Sequence, residues 1–187
     1  MPDSVETLEQ RLLDRDRDAR EEALRALIEC AERGDVPWPE PTDFLNLHMH
    51  SFFSYNPDGL TPSALAWKAR RAGLGMAGMV DFDVLDGVDE FHAAGAALGL
   101  KTVAGLETRV FVPEFASREI NSPGEPGIAY HMGTGMVASG VPASQRAFLE
   151  RLKQTAQDRN RGLLERVNPF MDPVTLDLER YVFPLTP

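Results

Sequence analysis

"LNLHMHSFFS", residues 45–54, places two of the chain's four histidines, His48 and His50, one residue apart in an otherwise apolar run. In a strand, residues i and i+2 point to the same face. Two imidazoles at the carboxyl end of such a strand aim at one point and supply half of a metal site. On spacing alone, the other reading is one core histidine and one exposed histidine. The segments around this stretch weigh on that choice and set the fold class.

From Phe44 onward the pattern alternates. Residues 44–49 are short, apolar and strand-like. "TPSALAWKARRAGLG" (61–75) reads as a helix, with Thr61 as cap, Pro62 at the first helical position and Gly73 near the end. "MAGMVDF" (76–82) is a second buried strand, and "DGVDEFHAAGAALGL" (86–100) is an Ala-rich second helix. "KTVAGLETRVFV" (101–112) is a third strand, "PEFASREINSPGEPG" (113–127) a turn-rich loop, and "IAYHMGTGMV" (128–137) a fourth strand. This order predicts an α/β fold with a parallel sheet built from right-handed βαβ units.

The flanks have a different character. Residues 4–33 read as helix, capped by Asp3 or Ser4, with apolar positions at Val5, Leu8 and Leu12 and again at Ala23, Leu24, Leu27, Ile28 and Ala31. The polar run "DRDRDAREE" (14–22) carries no stripe, which predicts two helices or one with a break. Gly34 is a natural stop, and "GDVPWPEPTD" (34–43) is a linker. After Gly140, "PASQRAFLERLKQTAQDRNRGLLERVN" (142–168) predicts one long polar helix, and "DPVTLDLERY" (172–181) a short one capped by Asp172. The expected organisation is a helical leader (1–36), an α/β core (37–140) and a helical insertion or extension (141–187).

Composition bounds the function. The chain has 187 residues, enough for one domain with a real core. Lys plus Arg number 19 and Asp plus Glu 29, a formal net charge of −10, which argues against general nucleic-acid binding. The one cysteine, Cys30, excludes an intrachain disulfide and fits a reducing compartment. No apolar run approaches the ~20 residues that span a bilayer. The acidic, polar start argues against a secretory signal. The expected location is cytoplasmic.

Each proposed strand delivers a group able to hold a metal or a proton: His48 and His50, then Asp81 and Asp83, then Glu107, then His131. In parallel α/β folds, sites form at the carboxyl ends of strands. Imidazole and carboxylate without thiolate suit zinc, manganese or iron.

"LHMHS" followed by "DG", then "VDFDVLDG", "GLE" and "YHMG" resembles the PHP (polymerase and histidinol phosphatase) domain, over about residues 44–137. The resemblance implies a distorted (β/α)7 barrel, a di- or trinuclear site and hydrolysis of phosphoesters. It implies metal ligation by His48, His50, Glu107 (bridging) and His131, with Asp81 orienting ligands or handling protons. Departures stand beside it. Phe82 occupies a place where the family usually has His, and Asn46 one where it often has Asp. Asn56 and Asp58 are weak candidates for a further ligand. No histidine follows His131, where the family brings another His and an Asp-x-His motif. The chain is therefore expected to be the N-terminal part of such a barrel, with an insertion after Gly140.

Other residues have paired readings. Arg109 lies two after Glu107 and can bind a phosphate oxygen or form a salt bridge. Arg118 and the 113–127 loop form either a lid or an ordinary loop. His92 reads as a surface or packing histidine, Tyr130 as core, Cys30 as packed on a helix, and Met49, Met76, Met79, Met132 and Met136 as core filler. The expected function is metal-dependent hydrolysis of a small phosphorylated substrate, weak in this chain alone, with self-association through an unpaired sheet edge. The rival is a metal-binding or structural domain without turnover. A metal hydrolase of the amidohydrolase type would call for later His and Asp residues that do not occur here.

Overall fold

The computed structural model of the chain describes residues 3–54, 56 and 58–183. The leader is two helices, α1 (Val5–Arg11) and α2 (Arg17–Glu32). Ser4 caps α1 by accepting from the Thr7 amide at 3.2 Å, and Asp16 caps α2 by accepting from the Asp18 amide at 3.0 Å. The break falls at residues 12–16, at the start of the stripeless run, whose remaining residues 17–22 begin α2 with Arg20 buried. Leu8, Leu12, Ala23, Leu24, Leu27 and Cys30 enter one core with the rest of the chain. Thr61 Oγ1 donates to the Leu12 carbonyl at 2.6 Å, and Trp67 Nε1 to Glu9 Oε1 at 2.8 Å, so the leader is also bolted down by polar bonds.

The sheet has four strands in the order β1 (Leu45–Met49), β2 (Met76–Phe82), β3 (Lys101–Phe111) and β4 (Ile128–Thr134). Helix α3 (Pro62–Arg71) joins β1 to β2, and α4 (Val88–Leu98) joins β2 to β3. Both joined pairs are parallel. Thr61 and Pro62 start α3 as the sequence predicts, the Thr61 hydroxyl accepting from the Ala64 amide at 3.1 Å. Gly99, at φ 64°, ends α4. Trp67, Met79, Val88 and Phe91 lie fully inside, between the helices and one face of the sheet. Gly95 lets α4 come close: a Cβ there would stand 2.3 Å from Thr102 Cγ2.

One expectation is overturned. β4 runs antiparallel to β3. A parallel partner needs a crossover, usually a helix, and 113–127 instead folds on itself. Val112 donates to the Gly127 carbonyl at 2.7 Å and Gly127 to the Arg118 carbonyl at 2.8 Å, closing a hairpin. The four strands make a curled half-barrel; among the described residues they do not close into a (β/α)7 barrel.

Helix α5 (Ala143–Val167) follows and is solvent-exposed along most of its length, anchored through Val141 and Leu149 against the core. A wide turn at Leu178–Val182 comes next, capped by Asp177 rather than by Asp172. Its carboxylate accepts from the Arg180 amide at 2.7 Å. The start is delayed because the Asn168 side chain clamps Leu176, donating to its carbonyl and accepting from its amide at 2.9 Å each, which keeps the preceding segment out of the helix. Among the described residues no helix is long and apolar enough to cross a membrane.

β1 is an edge strand, and Phe44, Leu45 and Leu47 beside it are exposed. An unpaired parallel edge flanked by apolar side chains invites pairing with another chain. The 187-residue chain is expected to self-associate with rising concentration in sedimentation velocity. A single monomeric species throughout would show that this edge is inert.

Candidate metal centre

The site is built on the concave face of the half-barrel. β1 pairs with β2 through Leu45–Met76 and Asn46–Ala77, then slips before Met49–Met79. The Asn46 side chain accepts from the His48 amide at 3.1 Å inside that slip and so shapes the irregularity. Met49 pairs with the core-facing Met79, so His48 and His50 turn to the concave side. In β2 and β3, Phe82 pairs with Glu107, and Glu107 pairs in turn with Met132 of β4.

Three side chains meet there. His48 Nε2 lies 2.9 Å and His50 Nε2 3.5 Å from the same oxygen, Glu107 Oε2. Their three ligand atoms all fall within 4.8 Å of one another. Glu107 is buried and His48 half exposed, so the cluster opens to solvent on one side. His50 is the more buried histidine, and desolvation lowers its pKa, against the opposing charges of Glu107 and Asp81. That favours the neutral imidazole, the form that binds metal. His50 Nδ1 is buried with no hydrogen-bond partner.

Phe82 and Asp81 serve His50 from opposite sides of β2. The Phe82 ring lies flat on the imidazole, with centroids 4.5 Å apart and planes 8° from parallel. Asp81 accepts from the Ser51 amide and hydroxyl at 2.6 Å each, and from Ser54 Oγ at 2.8 Å. Burial raises the Asp81 pKa, and those donors oppose the rise. Every one of these bonds ends on the turn after His50. Asn56 holds the same turn, donating to the His50 carbonyl at 2.8 Å. Asp83, at φ 62°, accepts from Thr108 Oγ1 at 2.6 Å and donates its amide to the Glu107 carbonyl at 2.9 Å, which fixes the backbone under Glu107.

Arg109 lies on the concave face, two residues beyond Glu107. It forms an ion pair with Glu125 of the β3–β4 loop, its Cζ is 6.0 Å from the Tyr130 ring centre, and its buried Nε has no partner. The salt-bridge reading of Arg109 is thus realised, at the rim of the cluster. Arg118 and its loop form the compact hairpin turn that carries Glu125.

His131 does not join the cluster. It pairs with Thr108, and Tyr130 pairs with Arg109, so Tyr130 takes the concave face and His131 the other. Tyr130 is half-buried with its ring centre 6.1 Å from that of Phe82, not in the core. Alternation allows one member of a Tyr-His pair to face inward, and the register selects the tyrosine. Asp58 also stays outside the cluster. His92 bridges elements: Nδ1 lies 2.8 Å from Thr102 Oγ1 and Nε2 2.9 Å from the Met136 carbonyl. Met79 is core as expected, whereas Met132 is exposed on the open face. Sequence reasoning passed over Glu125 and Ser51; "S" directly after the HxH pair was the available signal for the latter.

No family profile matches the chain. Two curated relatives are error-prone DNA polymerases. That of Cutibacterium acnes is 35% identical over 71 residues, 38% of this chain and 6% of the polymerase. That of Mycolicibacterium paratuberculosis is 36% identical over 77 residues, 41% of this chain and 6% of the polymerase. Among solved structures, a protein assigned as a metal-dependent phosphoesterase from Bifidobacterium adolescentis superposes with a TM-score of 0.58 at 21% identity, over 79% of this chain and 47% of that one. The chain carries a PHP-type core. An amidohydrolase from Chromobacterium violaceum, solved with bound sulfate and no metal, superposes on the same PHP-type core with a TM-score of 0.57 at 19% identity, over 76% of this chain and 43% of that one. The chain thus matches under half of each solved structure and a small part of each polymerase.

Proposed function

We propose that the PHP-type core is a metal-dependent phosphoesterase acting on a small phosphorylated substrate, with His48, His50 and Glu107 holding a divalent zinc, manganese or iron ion. The observation that carries this reading is the convergence of two imidazole Nε2 atoms on one oxygen of a buried carboxylate. The donor set fits the group: two neutral-capable imidazoles and one carboxylate, in reach of one centre and open on one side. When bound, the ion supplies Lewis acidity toward water and the phosphoryl group.

The chain's own residues do the remaining work. Asp81, through Ser51 and Ser54, fixes the turn that aims His50. Phe82 holds the His50 ring in plane and excludes water from its rear face. Arg109 reaches a phosphoryl oxygen from the rim by exchanging Glu125 for the substrate, a swap of one charge-assisted contact for another. His131, on the other face, has no part in this proposal.

A second reading is a metal-holding domain without turnover. Phe82 favours it, because an aromatic ring with no ligand atom lies against His50. The test is hydrolysis of p-nitrophenyl phosphate with added Mn2+ or Zn2+. The phosphoesterase reading expects turnover that a chelator abolishes and that Glu107→Ala lowers by at least about 100-fold, since loss of an outer partner alone costs 10–100-fold. Stoichiometric metal without chelator-sensitive turnover would establish the second reading instead.

A further inference from the structure

Helices α2 and α4 lie side by side and run in the same direction. Glu21, Leu24, Arg25 and Ile28 face Glu90, Ala93, Ala94 and Ala97 across one cavity of about 250 Å3. Ile28, Ala31 and Glu32 face Ala97, Leu98 and Gly99 across a second of about 240 Å3, which Trp38 also lines. Ile28 and Ala97 belong to both, so the two cavities form one groove that ends where both helices end. None of these residues belongs to the metal cluster. We propose that the groove binds a primary alkylammonium ion, with the alkyl chain along Leu24, Ile28, Ala94 and Ala97 and the ammonium at the Glu32 end.

The field at that end is built from parts of one sign. A helix carries roughly half a negative charge at its C-terminus, and parallel packing brings two such ends together. Neither helix has a basic residue in its last turn to offset them. Glu32 adds a full charge, and Ile28, Glu29, Asp35 and Val36, one turn to either side of it, include no base. Among the described residues Glu32 has no ion-pair partner, because its neighbour Arg33 is turned to Asp35 at 3.0 Å and to Cys30 Sγ at 3.1 Å. Arg70 donates to the Pro39 carbonyl and holds its Cζ 4.3 Å from the Trp38 ring centre, and neither it nor Lys101 lines the groove. The other end is balanced. Glu21 pairs with Arg17 and Glu90 with Arg20, and Arg25 has Glu29 one turn ahead of it. A cation is therefore drawn to one end only. The floor decides which cation: a hard metal ion calls for several oxygen ligands, whereas this groove offers one carboxylate and a run of aliphatic side chains. From Leu24 to Glu32 a helix rises about 12 Å, room for a six-carbon amine.

Calorimetric titration of the full chain at pH 7 with n-hexylammonium, n-propylammonium and 1-hexanol tests this. The wild type is expected to bind hexylammonium about tenfold more tightly than propylammonium, part of the three- to fourfold that each fully buried methylene gives. It is expected to bind hexylammonium about fivefold more tightly than hexanol, the contribution of a partly exposed charge pair, and Glu32→Gln is expected to remove that difference. Glu32 is exposed, so circular dichroism should not change. Ala97→Leu, at an exposed position common to both cavities, fills the groove and is expected to abolish the preference for the longer chain. Glu29→Gln removes the same charge one turn back, outside both cavities, and is expected to leave binding unchanged. Absent hexylammonium binding, equal binding of hexylammonium and hexanol, full affinity in Glu32→Gln, a chain-length preference that survives Ala97→Leu, or an equal loss in Glu29→Gln would each overturn the site.

Discussion

Glu90→Ala is expected to destabilise the chain by roughly 3–5 kcal/mol, the usual cost of stranding one partner of a buried ion pair. Glu90 on α4 is buried and receives Nε of Arg20 at 2.9 Å, with a second guanidinium contact from Nη2. The same carboxylate accepts from the Ser63 amide at 3.1 Å and its hydroxyl at 2.8 Å. Arg20 spends Nη1 on the Asp14 and Arg15 carbonyls, at 2.8 and 2.9 Å, and so ties the break between α1 and α2 to the same point. One carboxylate therefore joins the leader, the start of α3 and the start of α4. Without it, a buried guanidinium and two donors at Ser63 lose their acceptor together. Urea denaturation followed by circular dichroism measures the loss. Replacing both partners with Met is expected to recover much of it, because no charge is then left buried. A Glu90→Ala variant within about 0.5 kcal/mol of wild type, the range of ordinary surface changes, would mean that the pair does not form.

That bolt also marks where sequence reading stops. Arg20 and Glu90 are 70 residues apart, and each sits in a helix where a charged residue reads as a solvated face. Nothing local distinguishes them. Where the cause is local, the reading held: the leader breaks at the start of the stripeless run, Thr61–Pro62 starts α3, and β2 covers the residues predicted. The convergence of His48, His50 and Glu107 was legible because i and i+2 share a strand face and neighbouring strands in register share it too. The direction of β4 was harder. A 15-residue connection is long enough for a crossover or a hairpin, and its Pro and Gly residues gathered at 123–127, which favour turns over a long crossover helix, were the signal for the hairpin. The assignment of His131 and Tyr130 to faces depended on register, which alternation alone does not set.

Removing both imidazoles, with His48→Ala, His50→Ala, is expected to weaken divalent-metal binding by far more than 100-fold, leaving no metal after dialysis. Glu107 would then be a single buried carboxylate, and one carboxylate does not hold a transition ion against buffer. The comparison that gives the experiment its force is His131→Ala. The motif resemblance makes His131 a ligand, whereas the register of β4 puts it on the face away from Glu107. His131→Ala is therefore expected to keep the metal content of the wild type. Elemental analysis of the three proteins, with a competing chelator to rank affinities and circular dichroism to confirm folding, separates the outcomes. If the double variant and the wild type carried equal metal, the cluster would be an ordinary hydrogen-bonded triad, with Glu107 held by two imidazoles and no ion. If His131→Ala lost its metal as well, β4 would have to present its other face to the site in solution. Tyr130 would then leave the concave side, while Arg109, two residues beyond Glu107 on β3, would stay on it.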